Sequence, residues 1–168
     1  SQIARFDEAN LAIPACGSAD WALVEHILAH PRFQRLGAVA KSYQGELNET
    51  TVNKRGPFLT KDPSHAPVLR GANITRYAVR EASQGETYYV DEDALLRDAR
   101  PGAKVHHARS PRVGFQRSSP QNNYRRLIAA PIAPGHYCFD TVSYVTGASC
   151  ELDLDALLAL VNSRLYEY

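Results

Sequence analysis

The chain has no methionine, a single tryptophan and only three cysteines. Cys16, Cys138 and Cys150 are too few and too scattered for a disulfide framework, and none stands in a C-x-x-C pair, so a reducing, cytoplasmic setting is expected. No apolar run approaches the ~20 residues that cross a bilayer, and the opening Ser1-Gln2-Ile3-Ala4-Arg5-Phe6-Asp7-Glu8 lacks the apolar core of a signal peptide. No membrane partner is therefore expected. Neither G-x-G-x-x-G nor G-x-x-x-x-G-K-[ST] occurs, which removes the dinucleotide fingerprint and the P-loop. A G-x-S-x-G elbow is missing too. His106 and His107 are adjacent and lack partners at zinc-finger spacing, and His136 with Cys138 supplies two ligands where a metal needs three or four. The acids Asp91, Glu92 and Asp93 fit a helix start, where capping and the helix dipole favour negative charge, better than a nuclease metal site. No catalytic, cofactor or metal residue is thus assigned.

What remains is an ordinary globular composition: 168 residues, 44% hydrophobic and 22% charged. At roughly 100 to 200 residues per domain this makes one compact unit, with residues 1–30 as a lead-in containing an amphipathic helix and residues 31–168 as the main domain. A start at Ser1, the lack of methionine and a helical pattern running into Leu165-Tyr166-Glu167-Tyr168 fit an interior fragment of a larger protein.

The net charge of +1 hides strong asymmetry. Residues 97–126 hold Arg97, Arg100, Lys104, Arg109, Arg112, Arg117, Arg125 and Arg126 against the one acid Asp98, while residues 1–30 and 140–168 are acidic. Such a distribution points to a polyanionic partner. Of the 19 basic residues 15 are arginine, whose planar fork makes paired bonds to phosphate or to a guanine edge.

Periodicity predicts a helix over 19–30, capped by Ser18 and stopped by Pro31. A strand is expected over 37–45, then a long turn-rich loop over 46–67 with one short strand near Phe58 and Leu59. Further strands are predicted over 74–79, 87–90, 112–117, 124–132 and 137–145, and a helix over 92–99 behind Asp91. In 112–117 the period of two places Val113 and Phe115 on one face and Arg112 and Gln116 on the other. A closing helix behind Asp153 carries Leu154, Leu157, Leu158, Val161 and Leu165 as an apolar stripe. Three helices and about seven strands without βαβ alternation predict an α+β domain, a mixed and largely antiparallel sheet with three flanking helices.

Four segments in order carry a resemblance: Gly37 to Asn53 with Gln44-Gly45-Glu46-Leu47-Asn48, then Pro67-Val68-Leu69-Arg70-Gly71-Ala72-Asn73-Ile74-Thr75-Arg76-Tyr77, then Arg112 to Ile132, and Leu157 through Val161-Asn162-Ser163-Arg164-Leu165. Together they resemble the C-terminal specificity, or target recognition, domain of Taq-type N6-adenine DNA methyltransferases of bacterial restriction-modification systems. The likeness spans roughly residues 30–168. It implies a module without catalytic residues that reads double-stranded DNA for a catalytic methyltransferase domain of the same polypeptide, whose cofactor would be S-adenosylmethionine. The Asn-Pro-Pro-Tyr type motif and the cofactor loop of that catalytic domain are absent here, and a nuclease activity in the parent is left open.

On this reading Arg109 and Arg112 neutralise phosphates, and the loop residues Arg117, Gln121, Asn122, Asn123 and Arg125 form the first group of base readers. Paired amides of this kind bond adenine N6 and N7. Arg70, Asn73 and Arg76 form a second group, and Gln44, Asn48, Asn53, Lys54 and Arg55 a third. Two alternatives stand beside it, a type I specificity-subunit recognition domain and a non-enzymatic protein-protein adaptor.

Overall fold

A nine-residue strand, buried mainly in its first half, runs through the centre of the larger sheet. The computed structural model describes residues 17–52, 58–80, 85–97, 99–118, 124–164 and 166, which fall into two units divided between Ala38 and Val39. In the first, helix α1 (Ser18–Leu28) buries Val24. Gly17 rather than Ser18 stands at its cap, where its N–H donates to the Asp20 carboxylate at 3.2 Å. A helical turn α2 (Leu36–Val39) follows, so the strand expected over 37–45 is a strand only in its second half.

In the second unit, strand β1 (Ala40–Gln44), β7 (Arg112–Gln116), β8 (Ala129–Ile132) and the long β10 (Val142–Cys150) form one antiparallel sheet in the order β1-β10-β7-β8. A second sheet has the order β2-β6-β3-β9, built from β2 (Leu59–Thr60), β3 (Ala66–Leu69), β6 (Tyr88–Val90) and β9 (Tyr137–Cys138). Its β3 and β9 run parallel and its other pairs antiparallel. The strands β4 (Ile74–Thr75) and β5 (Ala78–Val79) make a separate hairpin. With helix α3 (Glu92–Arg97), helix α4 (Leu154–Val161) and 3₁₀ turns at Gly71–Asn73 and Lys104–Arg109, the domain is α+β, with antiparallel pairing dominant.

Two apolar clusters hold it together. One gathers Leu47, Val52, Val68, Val90, Ala108, Tyr137 and Phe139, the other Leu69, Ile74, Ala130, Ile132, Cys138 and Val142. Adjacent residues of β9 feed both clusters, because successive side chains of a strand leave on opposite faces. At Gly114 a Cβ would run into the end of the Ile132 side chain, so the glycine leaves the space that this side chain fills.

Several elements depart from the sequence reading. The run 74–79 is a tight hairpin, 124–132 is a strand only from Ala129, and 137–145 is two strands separated by a turn at Phe139–Thr141. The caps were more legible. The Asp91 carboxylate accepts from Ala94 N–H at 3.0 Å, and Asp153 accepts from the N–H groups of Asp155 and Ala156. The short strand near Leu59 is present as well.

Candidate nucleic-acid interface

The eight cations of the basic segment separate into two sets. Arg112, expected on a polar face, is a core residue: β7 is buried on both faces, and the side chains of Arg112 and Glu46 are both fully buried in an ion pair. A second guanidinium nitrogen donates to the His136 carbonyl, and the guanidinium carbon lies 4.8 Å from the centre of the Tyr144 ring. Glu46 also accepts from Cys138 N–H at 2.8 Å. Burial pushes the Glu46 carboxyl above its ordinary range, against the opposing pull of Arg112. It likewise pushes up the Cys138 thiol and the Tyr144 hydroxyl. The phosphate role assigned to Arg112 is therefore corrected: a guanidinium sealed against a carboxylate cannot reach a ligand, and it cross-links β7 to β9 and to the segment after β1.

Arg125 is also removed from the surface. It is 8% exposed and donates to the Ser163 carbonyl at 2.6 Å, so its assignment as a base reader is corrected too. Arg97, Arg100, Lys104, Arg109, Arg117 and Arg126 form the other set, all exposed. Arg109 sits 4.0 Å from Glu92, and none of the other five has an acidic partner within ion-pair distance among the described residues.

The turn at Phe139–Thr141 gathers residues from three distant segments. The Asp140 carbonyl accepts from the Gln44 amide at 3.4 Å and from the Arg117 guanidinium at 3.2 Å. The Asp140 carboxylate accepts from the Asn48 amide at 2.8 Å. Arg70 lies 5.1 Å from the Phe139 and Tyr88 ring centres and pairs with Glu49 at 2.5 Å. The chain approaches closely here because two glycines permit it. A Cβ on Gly45 would strike the Phe139 carbonyl, and one on Gly71 would fall 2.9 Å from the Thr141 oxygen. Gln44, Asn48, Arg70 and Arg117 thus converge, while Asn73, Arg76 and Arg109 do not join them.

Some of these side chains are committed to the fold. Asn48 accepts from Thr51 N–H and from the Thr50 and Thr51 hydroxyls while its amide holds Asp140, the pattern of an Asx turn. Asn73 accepts from Arg70 N–H at 2.7 Å and donates to the Arg80 carbonyl at 2.9 Å. Both ends of its amide therefore hold the backbone, with one N–H left over. Arg76 donates to the Asn162 carbonyl at 2.9 Å, so it and Arg125 together satisfy carbonyls at the end of α4. Asn162 itself is fully buried and bonds Ala129 in both directions, at 3.2 and 2.9 Å. The Asn-Ser pair of the closing helix is thereby a structural latch. Gln121, Asn122, Asn123, Asn53, Lys54 and Arg55 lie outside the described residues.

No family model matches the chain, and no curated protein is similar to it. No group of three or more His, Cys, Asp or Glu that could hold a metal occurs among the described residues. Within them no helix is long and apolar enough to cross a membrane. Sequence reasoning assigned no role here to Glu46, Glu49 or Asp140, and it counted Lys104 only as a surface cation, whereas its ammonium donates to the carbonyls of Gln44 and Gly45. The one available signal was the pair of acids Glu46 and Glu49 in the segment that follows β1.

Proposed function

We propose that the chain is a sequence-reading DNA-binding domain, the target recognition module of an N6-adenine methyltransferase. In the parent polypeptide a separate catalytic domain would bind S-adenosylmethionine and transfer the methyl group. The observation that carries this reading is the exposed set Arg97, Arg100, Lys104, Arg109, Arg117 and Arg126, of which only Arg109 has an acidic partner among the described residues. Unpaired surface arginine is suited to displacing counterions from a phosphate backbone. Arg117 and Gln44, side by side on the Asp140 carbonyl, are the pair best placed for base edges. Gln44 keeps one further N–H and Arg117 several, and the arginine offers the fork that guanine accepts.

The test is binding of the chain to random-sequence duplex DNA, followed by fluorescence anisotropy over a range of salt. Affinity should fall steeply with salt, log K losing about 0.9 per phosphate neutralised for each tenfold increase. Arg97→Ala, Arg100→Ala and Arg126→Ala should each reduce that slope by about the same amount. In a selection from randomised duplexes, Arg117→Ala should relax preference at one position by roughly 1–3 kcal/mol. No measurable duplex binding at low salt would overturn the reading and leave an acidic protein as the partner the charge distribution fits.

A further inference from the structure

The β4–β5 hairpin carries a feature that neither packing nor the sites above require. Thr75 pairs with Ala78, so the connection is the two residues Arg76 and Tyr77. Tyr77 has a φ of +65°, the only positive φ of a non-glycine among the described residues. Positive φ at the second turn residue belongs to the turn type that selects glycine or asparagine, since a Cβ there crowds the backbone. The bulky tyrosine is nevertheless kept, and its side chain is not consumed by the core, because Tyr77 is 46% exposed. The turn is held in place from both sides: Tyr77 N–H donates to the Ala129 carbonyl at 2.9 Å, and the Thr75 hydroxyl donates to the Ala78 carbonyl at 2.6 Å.

The ring also has a charged neighbour. The Arg76 guanidinium lies 5.0 Å from its centre and is itself anchored on the Asn162 carbonyl. The stretch 67–80 contains Arg70, Arg76 and Arg80 and no acid, with Arg70 paired to Glu49 and Arg76 against the ring itself. A strained backbone holding an exposed aromatic ring backed by a guanidinium is a contact surface, since strain of this kind persists where it serves a ligand. The chemistry it offers is one flat π face beside positive charge, which matches a nucleobase with its flanking phosphates.

We propose that Tyr77 is a stacking contact for a DNA base that has left the helical stack, and that the hairpin exists to present it. The inference rests on the DNA-binding reading and adds to it a preference for locally opened DNA. A base inside an intact duplex has no free face for the ring, so fully paired DNA would be bound without this contact.

The experiment compares the chain with Tyr77→Gly and Tyr77→Phe, against a fully paired duplex and the same duplex carrying one bulged nucleotide. The unaltered chain should prefer the bulged duplex by about fivefold or more, the range that stacking one base on an aromatic ring provides. Tyr77→Gly should lose that preference, keep its affinity for paired DNA, and melt at a temperature no lower than the parent, because glycine accepts the turn conformation. Tyr77→Phe should retain the preference. If the chain binds paired DNA but shows no preference for the bulge, or Tyr77→Gly retains it, the proposal fails while the DNA-binding reading stands. A lower melting temperature in Tyr77→Gly overturns it as well, by showing that the ring is held for packing. If the chain binds neither duplex, both readings fall.

Discussion

At the scale of single residues, the fate of Arg112 shows how burial overrides pattern. Strict alternation in 112–117 reads as one apolar and one polar face, yet the strand lies between β10 and β8 with both faces covered. The arginine then survives only by pairing with a carboxylate that a sequence reader has no means of matching to it, 66 positions away. Removing one partner strands the other charge. Glu46→Ala should therefore cost about 3–5 kcal/mol, a drop of roughly 10 °C in melting temperature for a chain of this size. The double change Glu46→Leu with Arg112→Met should recover only part of it in chemical denaturation, since Cys138 N–H and the His136 carbonyl lose their partners. His107 supplies a pH-dependent counterpart. Its ring hydrogen-bonds the Tyr144 hydroxyl at 3.0 Å and packs edge-on to Tyr43. Desolvation, then the charges of Arg112, Lys104 and His106, hold it below its usual value of 6.5. The unfolded chain thus takes up a proton near 6.5 that the folded chain resists, so this residue's contribution is present above that pH and is lost as the solution is acidified through it. Melting curves between pH 7.5 and 5.5 should fall less steeply for His107→Asn than for the parent.

At the scale of elements, the sequence was read well where a side chain states the boundary and poorly where only the fold does. Asp91 and Asp153 announce their helices, and each is found capping one. The hairpin at 74–79 has no glycine, asparagine or proline at its turn, so its apolar run looks like a single strand. The break at Phe139–Thr141 is hidden likewise, since the forces making it come from Gly45, Gly71 and Arg117 elsewhere in the chain. The closing helix has a further dependency that its apolar stripe does not reveal. Asn162 completes the backbone of β8 by accepting from Ala129 N–H and donating to its carbonyl. Asn162→Ala would leave both groups buried without partners and should cost roughly 2–4 kcal/mol. Asn162→Asp, able to accept but not donate when ionised, should be no better, and unfolding monitored by circular dichroism would register both.

At the scale of the whole molecule, a net charge of +1 would not by itself suggest a polyanion partner. The structure refines the sequence argument by sorting charge according to exposure: Arg112 and Arg125 are spent inside the fold, and the other six of the basic segment reach water. The salt dependence of duplex binding should accordingly be unmoved by a folded variant at Arg125, whereas each exposed arginine should lower it. The candidate site was half legible for the same reason. Residue types suited to phosphate and base edges can be recognised in a sequence, but whether Asn73 or Arg76 is already engaged by a neighbouring carbonyl depends on distances that only the fold sets. The shared acceptor at Asp140 has one more consequence. Gln44 and Arg117 come from segments more than seventy residues apart and lean on the same oxygen, so a change at either alters the footing of the other. If the chain reads DNA as proposed, retuning it by swapping one segment at a time would meet epistasis, and new preferences would arise more readily by paired exchanges than by single steps.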